Sequence, residues 1–153
     1  MFVCHGNICR SPMAEFIFKD MLSRRGCAGK FIVSSSATST EEIYRGIGNP
    51  VYPPAREILA LHGINCEGKR AVQLREEDAE NYDFFIGMDG ANIRNMKRIL
   101  GQNANSKIYK LLSFAGSERD VADPWYSDRF DIAYADIYEG CYSLLEYLLQ
   151  QKR

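Results

Sequence analysis

No run of apolar residues in this sequence is long enough to span a bilayer, and no stretch has the apolar core of a secretory signal. The expectation is a chain that does not enter membranes. Histidine is scarce, with only His5 and His62. Cys4-x4-Cys9 with His5 falls near zinc spacing, but no second ligand pair matches it, so neither a metal nor a cofactor is expected. An excess of one charge is missing as well: 19 Lys and Arg stand against 20 Asp and Glu, for a net charge of −1. Nucleic-acid and membrane-surface binders usually carry a basic excess, which argues against both partners. Cysteines are present but not paired by spacing. Cys4, Cys9, Cys27, Cys66 and Cys141 are odd in number and irregular, which favours free thiols in a reducing cytoplasm. There is no internal repeat and no low-complexity segment. What remains is an ordinary globular composition, 46% hydrophobic and 25% charged over 153 residues, consistent with a single domain covering 1–153.

Phe2 to Pro12 reads F-V-C-H-G-N-I-C-R-S-P. An apolar start enters Cys4, and Ser11-Pro12 supplies an N-cap followed by a proline suited to the first helical position. The order is strand, tight loop, helix N-terminus. Helix N-termini carry partial positive charge and free N–H donors, so they bind anions. Gly6 and Asn7 tolerate left-handed backbone angles and would turn successive N–H groups inward as a nest. At its entrance, Cys4 would be favoured as the nucleophilic thiolate by the N–H array and Arg10. Arg10 can take two phosphate oxygens at once, and Ser11 can donate its hydroxyl to the sulfur. A thiolate beneath a phosphate cradle is equipment for attack on phosphorus.

The full string C-x-G-N-x-C-R-S-P resembles the phosphate-binding loop of the low-molecular-weight protein tyrosine phosphatases. The resemblance covers nearly the whole chain and looks closest to bacterial members through Gly48 to Arg56. It implies an α/β, three-layer fold: a four-stranded parallel sheet flanked by helices, in the flavodoxin-like or Rossmann-like order 2-1-3-4. Catalytic roles fall on Cys4, Arg10 and Asp123, and substrate binding on His5, Gly6, Asn7, Ile8, Cys9, Arg10 and Ser11. It also implies that Cys9 can close a disulfide with Cys4 under oxidation.

From Pro12 to about Arg25, Met13, Ile17 and Met21 recur at helical spacing, and Gly26 is a stop. Phe31-Ile32-Val33 reads as a second buried strand. The small residues Ser34 to Ser39 then form a loop, which the resemblance packs against the phosphate loop with Ser35 in its hydrogen-bond network. Thr40 to Pro54, rich in glycine and proline, reads as a loop. Relatives are shorter there, and the resemblance makes Tyr44 a candidate aromatic wall of the substrate cleft. Ala55 to His62 is a short helix stopped at Gly63, with His62 satisfied by a carbonyl. Beyond it, relatives often have a histidine where Lys69 stands and an arginine where Val72 stands. Arg75 to Glu80 reads as a solvated helical turn. Tyr82 to Met88 is the clearest central strand. Asp89 caps the next helix, whose stripe is Ile93, Met96, Ile99 and Leu100. Ile108 to Leu112 is a fourth strand and Asp131 to Gln151 the last helix. Strands alternating with helices imply a parallel sheet.

Cleaving a phosphate ester of a phenol needs a proton for the departing oxygen, and a carboxylic acid on a loop can supply it. Asp123-Pro124 suits this, because proline restricts the backbone before it. Trp125 and Tyr126 offer flat apolar surface for an aromatic ring. This string also resembles the family's general-acid loop. The implied reaction is hydrolysis of phosphotyrosine through a cysteinyl-phosphate, with phosphotyrosine-containing proteins as partners, a bacterial tyrosine kinase among the candidates, and a monomer or weak dimer as the working unit. Three alternatives stand beside it. Arsenate reductases of this fold need extra thiols near Arg75 to Met88, where this chain has none. Arginine phosphatases typically have threonine where Ile8 stands. An inactive phosphate-binding module would need neither thiol nor acid.

Overall fold

The computed structural model describes residues 1–151. Four three-residue strands, β1 (Phe2–Cys4), β2 (Ser35–Ala37), β5 (Phe85–Gly87) and β6 (Ile108–Lys110), form a parallel sheet in the order β2-β1-β5-β6. Counted along the chain, that is the expected 2-1-3-4. Phe2 lies opposite Ser35 on one side and Ile86 on the other, while Phe85 lies opposite Ile108.

Side chains of a strand alternate between faces, and a parallel sheet must cover both. Phe2, Cys4 and Ile86 join one apolar cluster with Met13, Ile17 and Leu22 of α1 (Arg10–Arg24), Leu59 of α2 (Pro53–Leu61), and Ile137, Cys141 and Leu144 of α5 (Phe130–Gln151). Val3 and Phe85 point the other way and join Met96 and Leu100 of α3 (Gly90–Leu100). Helices thus cover both faces of the sheet. Among the described residues, no helix is long and apolar enough to cross a membrane.

Three local expectations need correction. The second strand is not Phe31 to Val33; Ile32 is 86% exposed, and pairing with β1 begins at Ser34, whose carbonyl accepts from Phe2 N at 2.9 Å. Ser35, Ser36 and Ala37 are buried there because small side chains let β2 lie close to the loop after β1. The stretch Thr40 to Pro54 contains an antiparallel hairpin, β3 (Ile43–Tyr44) and β4 (Ile47–Gly48). Arg45 and Gly46 turn it at φ 50 and 80°, the left-handed pair that a two-residue hairpin requires. His62 stacks its ring on Tyr134, 4.0 Å between centroids and 9° between planes, rather than bonding a carbonyl.

Candidate active site

β1 ends at Cys4 and α1 begins at Arg10, so the loop between them lies at the carboxyl end of the sheet. Asn7, at φ 58°, turns its N–H back toward the sulfur. Three groups converge on Cys4 Sγ: the N–H of Asn7 at 3.3 Å, the N–H of Ser11 at 3.4 Å and the hydroxyl of Ser11 at 3.0 Å. The Asn7 amide donates to Ser11 Oγ at 2.7 Å, so the Ser11 proton is shared between the sulfur at 3.0 Å and the Ser36 carbonyl at 3.5 Å. Asn7 donates again to Ser35 Oγ at 2.9 Å and accepts from Val72 N at 3.0 Å, so every polar atom of its side chain is engaged. From outside, Thr38 N and Ser39 N bond the carbonyls of Cys4 and His5 at 2.9 and 3.0 Å, and Tyr52 N bonds that of Ile8 at 2.8 Å.

Ser11 is therefore not the helix cap expected from its sequence. The helix starts two residues earlier than Pro12, at Arg10, and the preceding Cys9 makes no side-chain cap bond. The hydroxyl faces the sulfur instead. Pro12 sits within the first turn rather than at its first position, where its missing N–H would have had no helical partner anyway.

Arg10 is 3% exposed. Its Nη1 donates to Asp89 Oδ2 at 2.7 Å and to the Val121 carbonyl at 2.9 Å, while Nη2 lies 3.4 Å from Asp123 Oδ2. Burial works against its charge, but Cys4, Asp123 and Asp89 outweigh it and hold the guanidinium above its ordinary pKa. Asp89 does cap α3, through Oδ1 and Asn92 N at 2.8 Å, as its position suggests. Its grip on Arg10 has no sequence signal, the two being 79 residues apart.

Asp123 caps the short α4 (Pro124–Ser127), its Oδ1 accepting from Trp125 N at 3.0 Å and its Oδ2 facing Arg10. Trp125 and Tyr126 are exposed, and the Trp125 ring lies 5.0 Å from that of Tyr52. A cavity of about 350 Å³ is lined by Cys4 to Arg10, Glu41, Glu42, Asp123, Trp125 and Tyr126. Larger hollows of about 710 and 530 Å³ lie elsewhere, but neither contains the loop that surrounds the sulfur. His5 stands at the rim, paired with Glu41 at 3.0 Å.

Tyr44 does not line this cavity. Hairpin alternation turns Ile43 onto the core and Tyr44 outward, 72% exposed, with Arg45 over its ring at 5.3 Å. Glu41 and Glu42 hold the lining places that sequence reasoning missed, and Tyr52 meets the site only through its ring contact with Trp125; charge and aromaticity alone do not say which loop residue faces a cleft. Cys4 and Cys9 are both free, and burial followed by the nearby Cys4 pushes the Cys9 thiol up to about 12, so Cys9 is a neutral neighbour. Among the described residues, no group of three or more His, Cys, Asp or Glu could hold a metal ion. A sulfur ringed by donors, an arginine beside it and a carboxyl group facing both can displace a group at phosphorus and move the proton that this requires.

The sequence pattern of the family described as low molecular weight phosphotyrosine protein phosphatase matches residues 1–153. The low molecular weight protein-tyrosine-phosphatase YfkJ of Bacillus subtilis is 37% identical over 155 residues, covering 100% of this chain and 97% of its own. Its crystal structure superposes with a TM-score of 0.93 at 38% identity, over 99% of this chain and 94% of that one. The low molecular weight protein tyrosine phosphatase SP-PTP of Streptococcus pyogenes gives 0.84 at 37% identity, over 96% and 90%. DARP, a Drosophila arginine phosphatase, gives 0.85 at 26% identity, over 96% and 95%. On these matches, together with the loop around Cys4, the chain belongs to the low molecular weight phosphotyrosine protein phosphatase family.

Proposed function

We propose that this chain is a protein tyrosine phosphatase that hydrolyses phosphotyrosine through a cysteinyl-phosphate intermediate. The observation that carries the reading is the convergence of two N–H groups and one hydroxyl on Cys4 Sγ, with Arg10 and Asp123 at the same mouth. In the first step the Cys4 sulfur attacks phosphorus in line, forming an S–P bond as the P–O bond to the phenol breaks. Arg10 and the loop N–H groups hold the equatorial oxygens. Asp123 gives its proton to the departing phenol oxygen. In the second step Asp123 takes a proton from water, whose oxygen attacks phosphorus, and the S–P bond breaks to release phosphate. Gly6, Asn7, Ile8 and Cys9 contribute the cradle, and His5, Trp125 and Tyr126 the rim against which the substrate lies. Phosphotyrosine proteins are the substrates, so a tyrosine kinase is the class of enzyme that must supply them.

Resemblance to an arginine phosphatase makes phosphoarginine the competing substrate. Ile8, lining the cavity, supports the phenyl ring over a guanidinium. The deciding experiment measures phosphate release from phosphotyrosine, phosphoserine and phosphoarginine. Wild type is expected to prefer phosphotyrosine. Cys4→Ser should lose turnover yet bind phosphate, and Asp123→Ala should slow turnover by about 10²- to 10⁴-fold, the range for a lost general acid. Preference for phosphoarginine would overturn the substrate, and arsenate reduction the reaction class.

A further inference from the structure

We infer that the hollow at the amino ends of β1, β2 and β5 is a self-association surface, where a second copy of this chain seats its Ile32 and receives the first copy's Ile32 in return. The inference stands apart from the phosphatase reading. Phe31-Ile32-Val33 has the apolar, β-rich character of a strand, yet it stops short of the sheet, because pairing with β1 begins at Ser34. Alternation divides the three residues. Phe31 and Val33 pack on the core, Phe31 against the Phe18 ring at 6.4 Å between centroids, and Ile32 is turned out at 86% exposure. A single exposed isoleucine is ordinary. The surroundings of this one are not.

Ile32 stands on the rim of the hollow of about 530 Å³, whose walls include the rings of Phe31, Phe84 and Tyr147. Phe2 opens β1, and Val33 and Phe84 lead into β2 and β5; all three border the hollow, so it lies at the end of the sheet opposite Cys4. A protruding apolar side chain beside an apolar recess is self-complementary under a two-fold axis, since each copy supplies one of each. The rim charges obey the same rule. Lys30 and Asp83 both border the hollow, are exposed, and form no ion pair among the described residues. Exchange of Ile32 about a two-fold sets Lys30 of one copy against Asp83 of the other, and the reverse pair on the other side of the axis. Ile32 and Val33 also make no hydrogen bond among the described residues. Their backbone is an open edge that another polypeptide can pair and a small apolar ligand cannot. Both Cys4 loops stay open to substrate in such a dimer, because each lies at the far end of its own sheet.

The test is sedimentation of the full chain at about 10⁻⁶ to 10⁻³ M. It compares wild type, Ile32→Asp, Lys30→Asp, Asp83→Lys and an equimolar mixture of the last two. Wild type should dimerise with a Kd of about 10⁻⁶ to 10⁻⁴ M, the range of a small transient interface. Ile32→Asp should weaken the dimer by at least about tenfold, because it carries a carboxylate into an apolar recess. Lys30→Asp and Asp83→Lys should each weaken it by about three- to tenfold through like charges at the rim. Their mixture should recover a Kd within about threefold of wild type, since a copy with two aspartates then meets a copy with two lysines. Recovery in trans requires the two-fold exchange. Ile32 is exposed, so the Tm of Ile32→Asp at dilution should stay within about 2 °C of wild type; should it fall further, the mixture still decides the matter. A wild type that stays monomeric throughout, an Ile32→Asp chain that associates like wild type, or a mixture no tighter than either variant alone overturns the inference. So does a dimer that Trp125→Ala abolishes, which would put the contact at the mouth of the site instead.

Discussion

A carboxylate has two oxygens, and Asp89 uses them in different structures. Oδ1 caps α3 by accepting from Asn92 N, and Oδ2 holds Arg10 Nη1. The two duties can be separated by substitution, because asparagine caps a helix about as well as aspartate but brings no charge. Asp89→Asn should keep the cap and lose the ion pair, whereas Asp89→Ala should lose both. The two variants are expected to differ in stability by about 1 kcal/mol, the worth of a cap, in urea unfolding. Their turnover should fall alike, by about tenfold, since each leaves Arg10 with Asp123 as its remaining carboxylate. Equal stability with unequal turnover would show that the cap, and not the charge, orients the arginine.

The hairpin of β3 and β4 reaches the site through its seam with the segment after α2. Asn49 O accepts from Ala71 N at 2.9 Å, Arg70 Nη1 donates to the Gly48 carbonyl at 2.9 Å, and one residue further on Val72 N bonds Asn7. Gly48 lies so close to this segment that a Cβ there would stand 1.9 Å from the Ala71 carbonyl oxygen. Gly48→Ala must push the two strips of backbone apart. The expected cost is about 1–3 kcal/mol, as for other overpacked sites, read as a fall in Tm of about 2–4 °C per kcal/mol. Turnover should fall with it, because the strip that moves also carries Val72. Gly46 is the control: at φ 80° with open space around it, an alanine meets only the left-handed penalty of about 1–2 kcal/mol, and turnover should hold. Loss of turnover in Gly46→Ala and not in Gly48→Ala would reverse the assignment. A glycine-rich stretch reads the same in sequence whether its glycines serve a turn or a close approach, which is why this segment looks like plain loop before its neighbour across the seam is known.

Over the whole chain, local chemistry is legible in the sequence and long-range pairing is not. Cys4, Asn7, Arg10 and Ser11 lie within one turn of loop, and Asp123-Pro124-Trp125 within three residues, so residue type and spacing expose them. β2 has no apolar side chain larger than alanine, and its strand character comes from the space beside β1. Asp89 on Arg10 and Lys69 on Glu15 join residues far apart in sequence, which no local pattern marks. The same folding that hides these pairs sets the response of the molecule to alkali. Cys9 is pushed up to about 12, well above the ordinary thiol range, by burial and by Cys4, and burial alone pushes the Cys141 thiol up as well. Below about pH 9 both thiols are neutral in either state, and their contribution to stability does not change with pH. Above it the unfolded chain releases protons that the folded chain retains, so stability falls as pH rises toward the folded values, by about 1.4 kcal/mol per pH unit for each thiol. Cys141 lies on α5, its sulfur donating to the Ala14 carbonyl at 3.7 Å, remote from the chemistry of the loop. Cys141→Ala should therefore lower stability at pH 7 through the small void it leaves, yet flatten the decline between pH 9 and 10.5 by about one proton's worth. Urea unfolding at a series of pH values reads both effects, and an alkaline slope identical to that of wild type would mean that burial of this thiol does not set the alkaline limit of the fold.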